Sequence, residues 1–244
     1  MTPLLIKIYL IILAYFALGG TGFYLIGRRK DPSGRRQLWL KYGTYFVIIH
    51  VLFFSIALDP RWFRLLGIII ILVGWAELIR VFRRSRRRAS PFFVLSLLLY
   101  GLLSAGFWQF GRLPGGLILF GFLILSMFDA FSQVSGQLFG RRPLLPRVSP
   151  NKTVEGLAGG VVLAAASSFL LNGLHGGGWP RGLGLALGTV AFAFAGDVLS
   201  SLYKRHYGVK DFARWLPGHG GFLDRFDSLI AGGAFLALAS LLMG

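Results

Sequence analysis

Apolar stretches of nearly bilayer-crossing length follow one another through the chain, at roughly residues 3–27, 42–58, 63–82, 91–109, 113–131, 155–174, 182–202 and 226–244. Crossing the hydrocarbon of a membrane as a helix takes about 20 mostly apolar residues. Backbone N–H and C=O groups find no partner in lipid, so only helices or a closed barrel can span it. The stretches here are continuous rather than alternating, which argues against a barrel. The predicted fold class is therefore all-α, a polytopic integral membrane protein of about eight transmembrane helices. Composition agrees: only 14% of residues are charged, where soluble domains carry about 25%. The absence of cysteine removes disulfides and thiolate-bound metals from consideration. The first stretch is longer than a signal-peptide core and shows no clear cleavage site, so it reads as a retained span.

The net charge is +17. In a soluble protein such an excess would suggest nucleic acid; here it lies between apolar stretches and reads as membrane orientation, with no nucleic-acid partner expected. The loops after the first, third, fifth and seventh spans hold 21 of the 26 Lys and Arg residues. Positive loops stay cytoplasmic, which places both termini outside and those four loops inside a cell (inner) membrane. The Arg83–Arg88 block serves as a topology anchor, an attractor of anionic headgroups, or both. Gly156/Gly160 and Gly184/Gly188 have the spacing that lets helices approach closely; glycine-rich spans permit a homodimer without requiring one. The chain divides into N-terminal spans (residues 1–110) and a region carrying the chemistry (residues 111–244).

The nine acids are placed unevenly. Asp129, Glu155, Asp197, Asp211, Asp224 and Asp227 fall at cytoplasmic span ends or loops of the second half. Glu77 lies three residues before Arg80 and reads as an intrahelical pair. Asp197, Ser200, Ser201 and Lys204 share one helix face, a set able to hold a hard cation and a phosphate together. The alternative is that Asp197 pairs with Lys204 or Arg205. Asp224 and Asp227 begin the last span on one face after "GHGG"; Asp224 could also serve as a helix cap. His219 stands in that glycine-flanked turn, close in sequence to Lys210. His50, alone in the second span, reads as packing. Ser149, Asn151, Lys152 and Thr153 precede a helix, where they bind an anion or simply cap. Carboxylates, cations and glycine turns gathered on one face are what phosphoryl or nucleotidyl transfer needs. No GxxxxGK[ST] loop is present, which excludes a P-loop enzyme.

The run "SLYKRHYGVKDFARWLPGHGGFLDRFDS", residues 201–228, resembles the C-terminal signature of the CDP-diacylglycerol synthases, or phosphatidate cytidylyltransferases. "RVSPNKTVEG" and residues 129–142 look like the same family, and the resemblance covers about residues 125–230. Tyr203 stands where the signature has an aliphatic residue or Phe, Gln133 where an aromatic is common, and Val154 where Trp is common; the last two bear on lipid preference. The resemblance implies transfer of the cytidylyl group of CTP to phosphatidic acid, giving CDP-diacylglycerol and pyrophosphate. It implies Mg²⁺, with room for a second cation. Residue by residue, it puts metal binding on Asp197 and Asp224 with Asp227 in support. It assigns phosphate contacts to Lys204, Arg205, Lys210 and His219, and nucleotide contacts to Ser149, Asn151, Lys152 and Ser201.

Two other readings compete. A CTP-dependent lipid kinase of polyprenol type would release CDP instead of pyrophosphate. An ion-coupled transporter would place acids near the membrane midplane, often within inverted repeats; here they lie at one face and no repeat is apparent.

Overall fold

The computed structural model describes residues 3–85, 91–213, 215 and 220–243. Eight α-helices appear among them: α1 (Pro3–Gly27), α2 (Pro32–Leu58), α3 (Pro60–Arg84), α4 (Pro91–Phe110), α5 (Gly115–Phe139), α6 (Val154–Leu170), α7 (Trp179–His206) and α8 (Leu223–Met243). Seven are long and apolar enough to cross a membrane, and the chain is an all-α, multi-pass membrane protein. The exception is α6. Its 17 residues rise about 25 Å, short of the roughly 30 Å of hydrocarbon, because the α-helix stops at Leu170 and the end of the expected sixth span passes into a short 3-10 turn, Asn172–Leu174.

Several helices outrun their apolar cores. The second was expected from residue 42, yet α2 starts at Pro32 behind Asp31 and carries Arg35, Arg36 and Lys41 in helix. Proline suits the first helical turn and Arg and Lys are good helix formers, so hydropathy marks the part in lipid and not the helix. α3 likewise begins at Pro60, with the Asp59 carboxylate accepting from Arg61 N at 2.8 Å.

α5 is the central helix. Ile118, Phe120, Leu123 and Ile124 are fully buried along it. α6 lies against it through small residues: a Cβ on Gly156 would fall 2.8 Å from the Ser132 carbonyl oxygen, so only glycine permits this approach. The Gly156/Gly160 pair is thus a packing face. In the second pair, Gly188 packs on Phe235 while Gly184 faces open space. α7 and α8 meet at Gly196, where a Cβ would fall 2.9 Å from the Asp227 carbonyl oxygen.

Between α5 and α6 the chain forms a small antiparallel hairpin, β1 (Pro143–Leu145) with β2 (Ser149–Thr153). Thr153 then caps α6, accepting from Gly156 N at 3.1 Å. A helix was the expected neighbour of this segment, but strands were not. The hairpin stands at the end of the bundle where α5 and α7 finish and α8 begins, because Arg205 Nε of α7 donates to the Val148 carbonyl at 3.1 Å.

Candidate active site

Lys152 organises the site. It sits on β2, and its ammonium forms an ion pair with Asp197 of α7 and lies 4.9 Å from the centre of the Phe194 ring. Asp129 of α5 and Asp227 of α8 are within its electrostatic reach. Burial pushes the ammonium below the usual lysine range, and Asp227 and Asp129 pull it back up in part. Four elements therefore bring three carboxylates around one cation. Asp197 was expected to pair with Lys204 or Arg205 if its role were structural; its partner is Lys152.

Lys204 turns to α8. Its Nζ is 2.6 Å from Asp224 Oδ1, and the Asp224 side chain is only 4% exposed. The other oxygen, Asp224 Oδ2, accepts from Phe212 N at 2.9 Å and Gly221 N at 2.8 Å. Asp224 thus ties the start of α8 to α7 through Oδ1 and to the loop after α7 through Oδ2. Gly220 makes this possible: its φ of +84° lies in a region that L side chains avoid, and a Cβ there would fall 2.9 Å from Asp224 Oδ2. Asp227 has Oδ1 2.7 Å from Ser228 N. Ser201 is buried on α7, and the neighbouring Ser200 Oγ is buried without a hydrogen-bond partner. Arg205, Lys210 and Asn151 are exposed around this end, with Ser149 half-buried. His219 lies outside the described residues, as do Arg86, Arg87 and Arg88 of the basic block.

Two contributors were not foreseen. Glu77 of α3 does not pair with Arg80. It is fully buried, and its two oxygens accept from Phe222 N at 3.0 Å and Leu223 N at 2.7 Å. A carboxylate at the positive end of α8 satisfies N–H groups that have no partner within the helix. Arg80 instead lies 5.6 Å from the centre of the Trp215 ring. The available signal was the cost of an acid inside an apolar span. The second is Arg225, whose guanidinium donates to Tyr45 Oη of α2 at 2.8 Å; both residues come from segments that the sequence alone does not bring together.

These donors fit a hard cation in kind. Mg²⁺ is usually held by one or two carboxylates plus substrate phosphates, with waters completing its octahedron. Among the described residues no three His, Asp or Glu form a ready cage. Asp197 and Asp227, on packed faces of α7 and α8, match the sparser pattern.

The sequence model of the cytidylyltransferase family matches residues 111–243, more than half the chain and all of the site except Glu77, Arg80 and Tyr45. This chain belongs to the cytidylyltransferase family. Within the family, it is 43% identical over 119 residues to a phosphatidate cytidylyltransferase of Staphylococcus epidermidis, covering 46% of this chain and 44% of that one. It is 40% identical over 127 residues to the enzyme of that name from Haemophilus influenzae, covering 50% and 44%. The same name is carried by a Staphylococcus aureus protein, 41% identical over 117 residues, covering 46% and 44%. The alignments thus span less than half the length of each relative. The family match begins near α5, so the first four helices lie outside it.

Proposed function

We propose that the protein transfers the cytidylyl group of CTP to phosphatidic acid, forming CDP-diacylglycerol and pyrophosphate at the cytoplasmic face of the cell membrane. The observation that carries this reading is the cluster of Asp129, Lys152, Asp197 and Asp227 at one end of the bundle, inside the segment that matches the family. An oxygen of the lipid phosphate bonds to the α-phosphorus of CTP. The bond from that phosphorus to the bridging oxygen breaks, and its electron pair leaves with pyrophosphate. A phosphate monoester is already ionised at neutral pH, so the chain needs no strong base; its work is positioning and electrostatics.

The resemblance puts Mg²⁺ on Asp197 and Asp224 with Asp227 in support; because both Asp224 oxygens are engaged by Lys204 Nζ, Phe212 N and Gly221 N, Asp227 would take the larger share of the ion beside Asp197, with Asp224 in support. When bound, the ion supplies charge neutralisation to the phosphates. Lys204, Arg205, Lys210 and His219 are assigned to the phosphates of the two substrates, and Ser149, Asn151, Lys152 and Ser201 to CTP. Lys152 would exchange Asp197 for a phosphate when the nucleotide enters, since both are anionic partners for one ammonium. The basic loops at this end, with the positive-inside rule, support the cytoplasmic orientation.

The test is purified protein with phosphatidic acid, Mg²⁺ and CTP labelled at the α-phosphate. Label should enter the lipid and pyrophosphate should appear. Release of CDP without lipid label would assign a kinase instead. Asp197→Asn and Asp227→Asn should each lower turnover by about two to three orders of magnitude while leaving the protein in the membrane. Full activity in either variant would remove that residue from the site.

A further inference from the structure

An apolar cleft, partly open to the outside, runs between α1, α2, α5 and α8. Its body is apolar, with Phe16, Ile48, Ile49, Phe122 and Leu229 among its walls. Its polar groups include Asp129, Arg225, Tyr45 and Gln133. Arg225 uses one terminal nitrogen on Tyr45, while its Nε is buried without a partner. A buried donor left unpaired is costly and marks a place for an acceptor. Asp129 joins the cleft to the cluster around Lys152, since it lines the first and interacts with the second.

We infer that this cleft holds an acyl chain of the anionic lipid substrate, with its head at Arg225, and that α1 and α2 set which chains are accepted. This deepens the proposed function and rests on it. A second apolar cleft lies between α3, α4, α7 and α8, but no cation is among its lining residues, whereas Arg225 stands beside Asp129 in the first. Charge complementarity therefore selects the first cleft. The apolar body lies among helices of membrane-crossing length, where a hydrocarbon chain needs no transfer from lipid to water. Nine of its 21 lining residues come from α1 and α2, outside the family match, so chain selection can differ between relatives that share the chemistry.

Gly19 of α1 supplies the test. It lines the cleft, and a Cβ added there meets nothing within 4 Å, so a larger side chain grows into the space instead of into the packing. Gly19→Leu should raise KM for dioleoyl phosphatidic acid about tenfold or more and leave dioctanoyl phosphatidic acid unchanged; activity on the short lipid also reports that the variant is folded. Gly43→Leu, on exposed α2 surface with equally open space, should alter neither. Arg225→Met should weaken both lipids alike. An unchanged chain-length profile in Gly19→Leu, or an equal loss on both lipids, overturns the inference. Native mass spectrometry of the two lipids bound to wild type and Gly19→Leu reads chain preference without turnover. If the wild type makes no CDP-lipid, the function fails, while this measurement still decides the cleft: selective loss of the long lipid supports it, and equal retention overturns it.

Discussion

At the residue scale, Tyr203 shows what a single departure from the family pattern does. Its hydroxyl donates to the Leu78 carbonyl of α3 at 2.8 Å, a contact that Phe or an aliphatic side chain cannot make. Tyr203→Phe should cost about 1 kcal/mol of stability, seen as a lower melting temperature in detergent, with CTP turnover retained. His175, in the loop between α6 and α7, gives a pH dependence. It is buried against Phe120 with neither ring nitrogen partnered. Burial, and then Arg181, hold it below its ordinary pKa of 6.5. Above pH 6.5 the ring is neutral both folded and unfolded. As pH falls below that value the unfolded chain takes up a proton that the folded chain refuses, so stability drops until the folded pKa is reached. Thermal melting should show this loss, and His175→Phe should flatten it. Asp197, Asp224 and Asp227 were legible as site candidates because acids are scarce in an apolar chain. Their pairings were not, since Lys152 and Asp197 are 45 residues apart in number and only the hairpin brings them together.

The elements are held by their ends. α8 starts where Glu77 accepts two backbone N–H groups and where Gly220 takes its left-handed turn. Glu77→Ala leaves two buried donors without an acceptor, at about 1–3 kcal/mol for each; Glu77→Gln keeps an acceptor but loses the charge facing the helix dipole. Melting temperatures should therefore rank wild type, Gln, then Ala, and an Ala variant as stable as wild type would remove Glu77 from the role of cap. Helix existence was legible from apolar runs because lipid forces helices. Helix ends were not, because caps and positively charged first turns carry no hydropathy signal. The hairpin escaped notice for a related reason: "RRPLLPRVSPNKT" is rich in proline, which strands tolerate only at edges, and here both strands are edges.

On the scale of the whole molecule, the part that matches the family does not stand by itself. α3 supplies Glu77 and the Leu78 carbonyl, α2 supplies Tyr45, and α4 packs along α8 through Gly106, where a Cβ would fall 3.0 Å from the Ala234 Cα. Heating in detergent should give one cooperative transition, and residues 111–244 expressed alone should fail to make CDP-lipid even when recovered in the membrane. Separate transitions for the two halves would contradict that interlocking. The crowding of acids into the second half was visible in the sequence; the contacts between the halves were not, because they join residues more than a hundred positions apart.

Lys152 pairs with Asp197 and Lys204 with Asp224, while Arg225 lies within electrostatic reach of Asp129 and Asp227. Charges from three helices and the hairpin thus offset one another inside the chain, which can hold so polar an end at the edge of an oily slab without recruiting a counter-ion from solution.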